Sequence, residues 1–125
     1  MKKALLLLMV IAMVAVSASA TKIYVCGTKI TGTTNFTPSG GSVNYNESTR
    51  TLTISNVDYT KTGSSNNGIS VDEVSGTLTI NLVGNVKFDI KDADAVLCKD
   101  SNKNPVYINV SGEAYFYSRS YNHTT

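Results

Sequence analysis

The chain has 125 residues, with 11 Lys and Arg against 9 Asp and Glu, one His, two Cys and no Trp. Lys2 and Lys3 fall in a start that reads as a removable leader, so the remainder balances nine basic against nine acidic side chains. That length fits one small domain, and a neutral domain has no electrostatic draw toward nucleic acid or anionic lipid.

Met1-Lys2-Lys3 is a short positive start, followed by thirteen uncharged apolar residues at 4–16. Ser17-Ala18-Ser19-Ala20 then places small residues at the −3 and −1 positions of a cleavage site. This is a signal-peptide pattern over 1–20, cut after Ala20, of a bacterial kind. The apolar run falls short of the roughly 20 residues that cross a bilayer. No membrane span is expected after cleavage, and the expected destination is extracytoplasmic: secreted, periplasmic or at the cell surface. Cys26 follows Ile-Tyr-Val rather than the small residues of a lipobox.

Residues 21–125 read as one β-repeat domain. Apolar residues alternate with period two at Ile23/Val25, Val43/Tyr45, Leu52/Ile54, Ile69/Val71, Leu78/Ile80/Leu82, Val86/Phe88/Ile90, Val106/Ile108/Val110 and Ala114/Phe116, the signature of half-buried strands. Turn-formers separate them, among them Gly40-Gly41, Ser75-Gly76, Gly84-Asn85 and Ser111-Gly112. Thr31 to Ser42 is rich in Gly, Thr and Ser and reads as a flexible loop. The expected class is all-β.

An internal repeat bears on the architecture. Leu78 to Ile90 aligns with Val106 to Ser118 at an offset of 28, matching Ile80 to Ile108, Asn81 to Asn109, Gly84 to Gly112 and Phe88 to Phe116. Ile90 over Ser118 is the exception on the apolar side. Thr51-Leu-Thr-Ile54 resembles Thr77-Leu-Thr-Ile80 at an offset of 26, and Ile69/Val71 resembles Val96/Cys98 at 27. A period in the high twenties suggests rungs of a solenoid that stack Ile on Ile and Phe on Phe, with Asn81 and Asn109 forming a short amide ladder. A β-sandwich of similar hairpins is the competing architecture.

The run Val43-Asn-Tyr-Asn-Glu-Ser-Thr-Arg-Thr-Leu-Thr-Ile-Ser-Asn-Val57, followed by Gly76-Thr-Leu-Thr-Ile-Asn-Leu-Val-Gly-Asn85, resembles a widespread class of secreted bacterial repeat proteins. The resemblance covers roughly Ile23 to Ser118. It implies N-terminal hairpins leading into a short right-handed parallel β-helix, in a class some of whose members are described as carbohydrate-binding or pectate-lyase-like. The shared motifs are strand and turn motifs, so they transfer a scaffold and no catalytic residues. The chain stops at Thr125, one strand pair into the last visible rung. The expectation is therefore either a truncated piece of a longer solenoid or an open end covered by another chain, with end-to-end self-association.

Four groups are candidate sites. Asp89, Asp92 and Asp94 are the densest carboxylates and suit Ca²⁺, against the plainer reading of a solvated turn neutralised by Lys87, Lys91 and Lys99. Cys26 and Cys98, an even pair in an exported chain, permit one disulfide, against two buried thiols. Tyr107, Tyr115 and Tyr117 fall opposite Thr79, Lys87 and Asp89 in the repeat alignment and should face outward, where aromatic rings stack on sugars. His123 is the single histidine, in a polar tail, and no Ser/His/Asp, Cys/His or zinc constellation forms around it. A lyase would pair the aspartates with Lys87, Lys91 or Arg119 as base, which the spacing does not select. The expected function is a non-catalytic, exported binding module for a polysaccharide or surface protein, with no required cofactor. The alternative is a structural rung segment of a larger adhesin-like protein with no ligand of its own.

Overall fold

The computed structural model describes residues 21–120. The expected leader and His123 lie outside the described residues.

The described chain is all-β. It contains β1 Lys22–Val25, β2 Thr28–Ile30, β3 Thr34–Phe36, β4 Ser42–Asn46, β5 Thr51–Ser55, β6 Asp58–Thr62, β7 Ile69–Glu73, β8 Leu78–Lys91, β9 Val96–Cys98 and β10 Val106–Arg119. These form two open, mixed sheets, ordered β2-β1-β7-β9 and β10-β8-β5-β4-β3, with β6 also paired to β8. The alternating apolar residues of β1, β4, β5, β7 and β8 form one core shared by both sheets, a sandwich-like arrangement.

The first half pairs antiparallel. β1 lies between β2 and β7, and β4 between β3 and β5. The β4–β5 turn is held by Asn46, whose Oδ1 accepts the N–H groups of Ser48 at 3.0 Å and Thr49 at 3.3 Å, a local bond that short amide side chains favour in turns. The segment expected to be a loop at 31–42 contains β3. Its composition shows no apolar alternation, but its backbone pairs Thr34 with Tyr45 and Phe36 with Val43, and Phe36 packs on the core.

The second half pairs parallel. β8 and β10 lie in register over fourteen residues, with Ile80 beside Ile108, Gly84 beside Gly112 and Phe88 beside Phe116. This is the alignment at 28 found in the sequence. Phe88 and Phe116 stack at 5.9 Å and 5°, and Asn109 Nδ2 donates to Asn81 Oδ1 at 3.1 Å. β7 and β9 pair as expected, Ile69 with Val96 and Val71 with Cys98. Thr51 to Ile54 is the correction. Leu52 lies beside Ile80 and Ile54 beside Leu82, so the local T-L-T-I likeness placed the strand two residues out of register while keeping its inward face.

Gly84-Asn85 and Ser111-Gly112 do not end strands. They are kinks inside continuous β8 and β10. Asn56, Gly84 and Gly112 stack at this level with φ of 52°, 74° and 123°, a backbone that glycine adopts freely and asparagine tolerates. A side chain at Gly84 would run into Asn56, and one at Gly112 into the Gly84 carbonyl. Asn56 secures the stack by accepting the Asn85 N–H on its Oδ1 at 3.1 Å.

β10 is an edge. Ile80, Leu82 and Phe88 are 0%, 1% and 0% exposed, whereas their neighbours Ile108, Val110 and Phe116 are 42%, 53% and 38% exposed. Ser118, the exception on the apolar side, accepts the Ala95 N–H on its Oγ at 2.7 Å. A polar residue suits that position because it satisfies the backbone N–H of buried Ala95.

Candidate functional site: the outer face of the last strand

The strand period decides where each tyrosine points. Tyr107, Tyr115 and Tyr117 pair with Thr79, Lys87 and Asp89 of β8, and they are 59%, 41% and 46% exposed. Tyr115 and Tyr117 are two positions apart on one face, with rings parallel within 2° and centroids 6.3 Å apart. The Tyr115 hydroxyl donates to Glu113 Oε2 at 3.0 Å. That bond, and the carboxylate charge behind it, push the phenol above its ordinary pKa, so it remains a neutral donor in mildly alkaline solution. Tyr107 stands eight positions earlier on β10, beyond the Gly112 kink. The structure joins two of the three tyrosines and leaves the third apart.

The carboxylates do not converge. Asp89 accepts Arg119 Nη2 at 2.5 Å and Nε at 3.1 Å, which ties the end of β10 to β8. Asp92 and Asp94 line an open cleft of about 1010 Å³ together with Ser118 and Arg119. Asp92 sits in the left-handed region at φ 67°, where the chain leaves β8. Among the described residues no three of His, Cys, Asp and Glu come close enough to hold a metal ion.

Cys26 and Cys98 are free thiols, which corrects the disulfide expectation. β1 and β9 flank β7 on opposite sides, and two strand spacings, about 10 Å, exceed the roughly 7 Å Cα limit of a disulfide. Cys26 is half-buried, and burial pushes its thiol up to about 12. Cys98 is exposed, on a strand that is an edge among the described residues.

Two polar groups escaped the sequence reading. Asp72 Oδ2 holds Lys99 Nζ at 2.8 Å, and its Oδ1 accepts Ser70 Oγ at 2.8 Å. Burial alone would raise this carboxyl. The bonds from Lys99 and Ser70, with the charges of Lys99 and Lys22, outweigh that and hold it below the usual carboxylate range. The 27-residue spacing of Asp72 and Lys99 was the available signal, since it matches the β7–β9 offset. The second group lies under the β4–β5 turn, where Thr21 Oγ1 donates to Glu47 Oε1 at 2.8 Å. Tyr45 Oη, Glu47 Oε2 and Arg50 Nε are buried there without a hydrogen-bond partner among the described residues. Nothing in the spacing announces it.

Among the described residues no helix is long and apolar enough to cross a membrane. Compared with known proteins, the chain matches no family model, no curated protein and no solved structure.

Proposed function

We propose that the chain is an exported, non-catalytic bacterial β-repeat module that binds glycan through the outer face of β10. In this reading β5–β6, β8 and β10 are successive rungs of a short right-handed parallel solenoid, with β7 and β9 as its return face and the antiparallel hairpins as its N-terminal end. The in-register ladder at an offset of 28 supports the solenoid. Its destination would be the cell surface, the periplasm or the medium, and the reading requires no metal and no acid/base pair.

The observation that carries the binding reading is the exposed, parallel Tyr115–Tyr117 pair on a strand-held surface. Two flat rings with hydroxyls at their tips offer apolar faces to sugar C–H groups and hydrogen bonds to sugar hydroxyls. The test is a glycan array probed with the chain purified after export, beside Tyr115→Ala and Tyr117→Ala. Each substitution should weaken a positive interaction by about tenfold, or 1.4 kcal/mol, with the thermal midpoint unchanged. Retention of no glycan, or equal binding by the variants, would contradict the reading.

The exposed core-facing side chains of β10 favour a second reading, a structural segment of a larger adhesin-like assembly. That segment would have no ligand of its own and would show an array without hits.

A further inference from the structure

We propose that two copies of this chain join edge to edge through β10, antiparallel about a two-fold axis at Gly112, and that the joint sets Tyr107 of each copy beside Tyr117 of the other.

The backbone fixes which groups are free. The carbonyls of Pro105 and Arg119 accept the N–H groups of Leu78 and Asp92 at 3.0 and 2.7 Å, so odd-numbered residues of β10 bond toward β8. Direction alternates along a strand, so the N–H and C=O groups of the even-numbered residues from Val106 to Ser118 point to the edge that no other described strand covers. Unpaired edges of this length are templates for another strand. These even residues also carry the core-facing side chains, and Ile108, Val110 and Phe116 among them are exposed.

These two facts restrict the register. Directly opposite residues in an antiparallel pair share a face, so core-facing side chains stay together only when even residues meet even residues. Pairing Gly112 with Gly112 satisfies this and also superposes the kinks, because the two-fold exchanges the segments on either side of Gly112. Val110 then faces Ala114, Ile108 faces Phe116, and Val106 faces Ser118. Each even pair can exchange both backbone hydrogen bonds, which leaves the free edge satisfied. On the outer face Glu113 meets Ser111 and Arg119 meets Pro105, so no like charges oppose. Shifting one step one way sets Glu113 against Glu113, which like-charge repulsion disfavours. Shifting the other way sets Gly112 against Val110 and misaligns the kinks. Apolar side chains that meet apolar side chains on both sides of Gly112, Val110 with Ala114 and Ile108 with Phe116, suit a self-complementary two-fold joint.

The outer face gains a consequence, which rests on the glycan reading above. Tyr107 falls directly opposite Tyr117, with Asn109 opposite Tyr115, at the close spacing of a pair without mutual hydrogen bonds. The tyrosine that the single chain leaves apart joins the pair it already forms. The dimer carries two such three-ring surfaces, each built from both copies.

The test is sedimentation equilibrium of the chain purified after export, with Val110→Lys beside it and circular dichroism to confirm folding. The dimer mass is expected for the unsubstituted chain, and the monomer mass for Val110→Lys. Disulfide trapping in a Cys98→Ser background reads the register separately: Asn109→Cys mixed with Tyr115→Cys should cross-link, while neither cross-links alone. This also decides the matter if Val110→Lys fails to fold. A monomer at every concentration, a dimer that survives Val110→Lys, or self-cross-linking by Asn109→Cys (the mark of a parallel pair) would overturn the joint. A trapped dimer that binds no glycan would uphold the joint and refute only the role given to the tyrosines.

Discussion

Replacing Phe88 by alanine tests the stacked core at its centre. Phe88 is 0% exposed, meets Tyr59 edge-on at 6.3 Å and 66°, and stacks on Phe116 at 5.9 Å. A fully buried Phe→Ala change costs about 3–5 kcal/mol, and this site loses two aromatic contacts as well, which places it near about 4–5. Phe116 occupies the same position one strand later but is 38% exposed and keeps a single stacked neighbour. Its truncation should cost about 1–2 kcal/mol in the monomer, where roughly a third of the ring already meets water. For a domain near 100 residues each kcal/mol moves the thermal midpoint by about 4–8 °C. Phe88→Ala should therefore melt about 16 °C or more below the parent, and Phe116→Ala about 4–16 °C below it. Far-UV circular dichroism, with urea titrations to fix the free energies, provides the comparison. Equal losses at the two sites at dilutions where the chain is monomeric, or a Phe88→Ala loss below about 1 kcal/mol, would refute the stacking order.

The remaining predictions follow from single groups. Asp72 is held below its unfolded pKa, so it contributes stability above that unfolded value and loses it as pH falls through the folded one. Asp72→Asn should flatten the acid limb of a stability–pH curve, and an unchanged limb would contradict the assignment. In the native chain a thiol reagent should modify Cys98 promptly and Cys26 only after unfolding, since burial holds the Cys26 thiol at about 12. Intact mass without reductant should show both thiols reduced; a mass two hydrogens lower would reveal a disulfide. Gly84→Ala forces a side chain into Asn56 at a left-handed backbone position, and should cost about 1–3 kcal/mol in urea unfolding. A neutral result would mean that the kink is not held as described.

The sequence announced the strands whose alternation survives burial on one face. Leu78 to Ile90 and Val106 to Ser118 keep one parity across their kinks, so aligning them predicts their pairing residue for residue. The same logic placed Val71 beside Cys98. It misled at Thr51 to Ile54, because the kink at Asn56 lies over Gly84 and fixes the register, whereas the T-L-T-I identity is only local composition. β3 was hidden because pairing to β4 holds it through backbone bonds that composition does not encode. β6 was hidden because Tyr59 is its single buried residue. In the site, outward parity was legible for all three tyrosines. Grouping was not, since parity ignores distance along the strand and leaves Tyr107 eight positions from Tyr115. Parity also made Cys98 look buried, but whether an inward position is covered depends on a neighbouring strand, and among the described residues β9 has one only on its β7 side.

The in-register parallel ladder carries the fold, the outward tyrosines and the open edge together. Its most direct test is a nuclear Overhauser experiment on the methyl- and aromatic-labelled chain. The account predicts cross-peaks between Ile80 and Ile108 and between Phe88 and Phe116, each pair 28 residues apart. Cross-peaks joining Ile80 to Phe116 and Phe88 to Ile108 within one chain, the signature of an antiparallel hairpin of the two repeats, would contradict it.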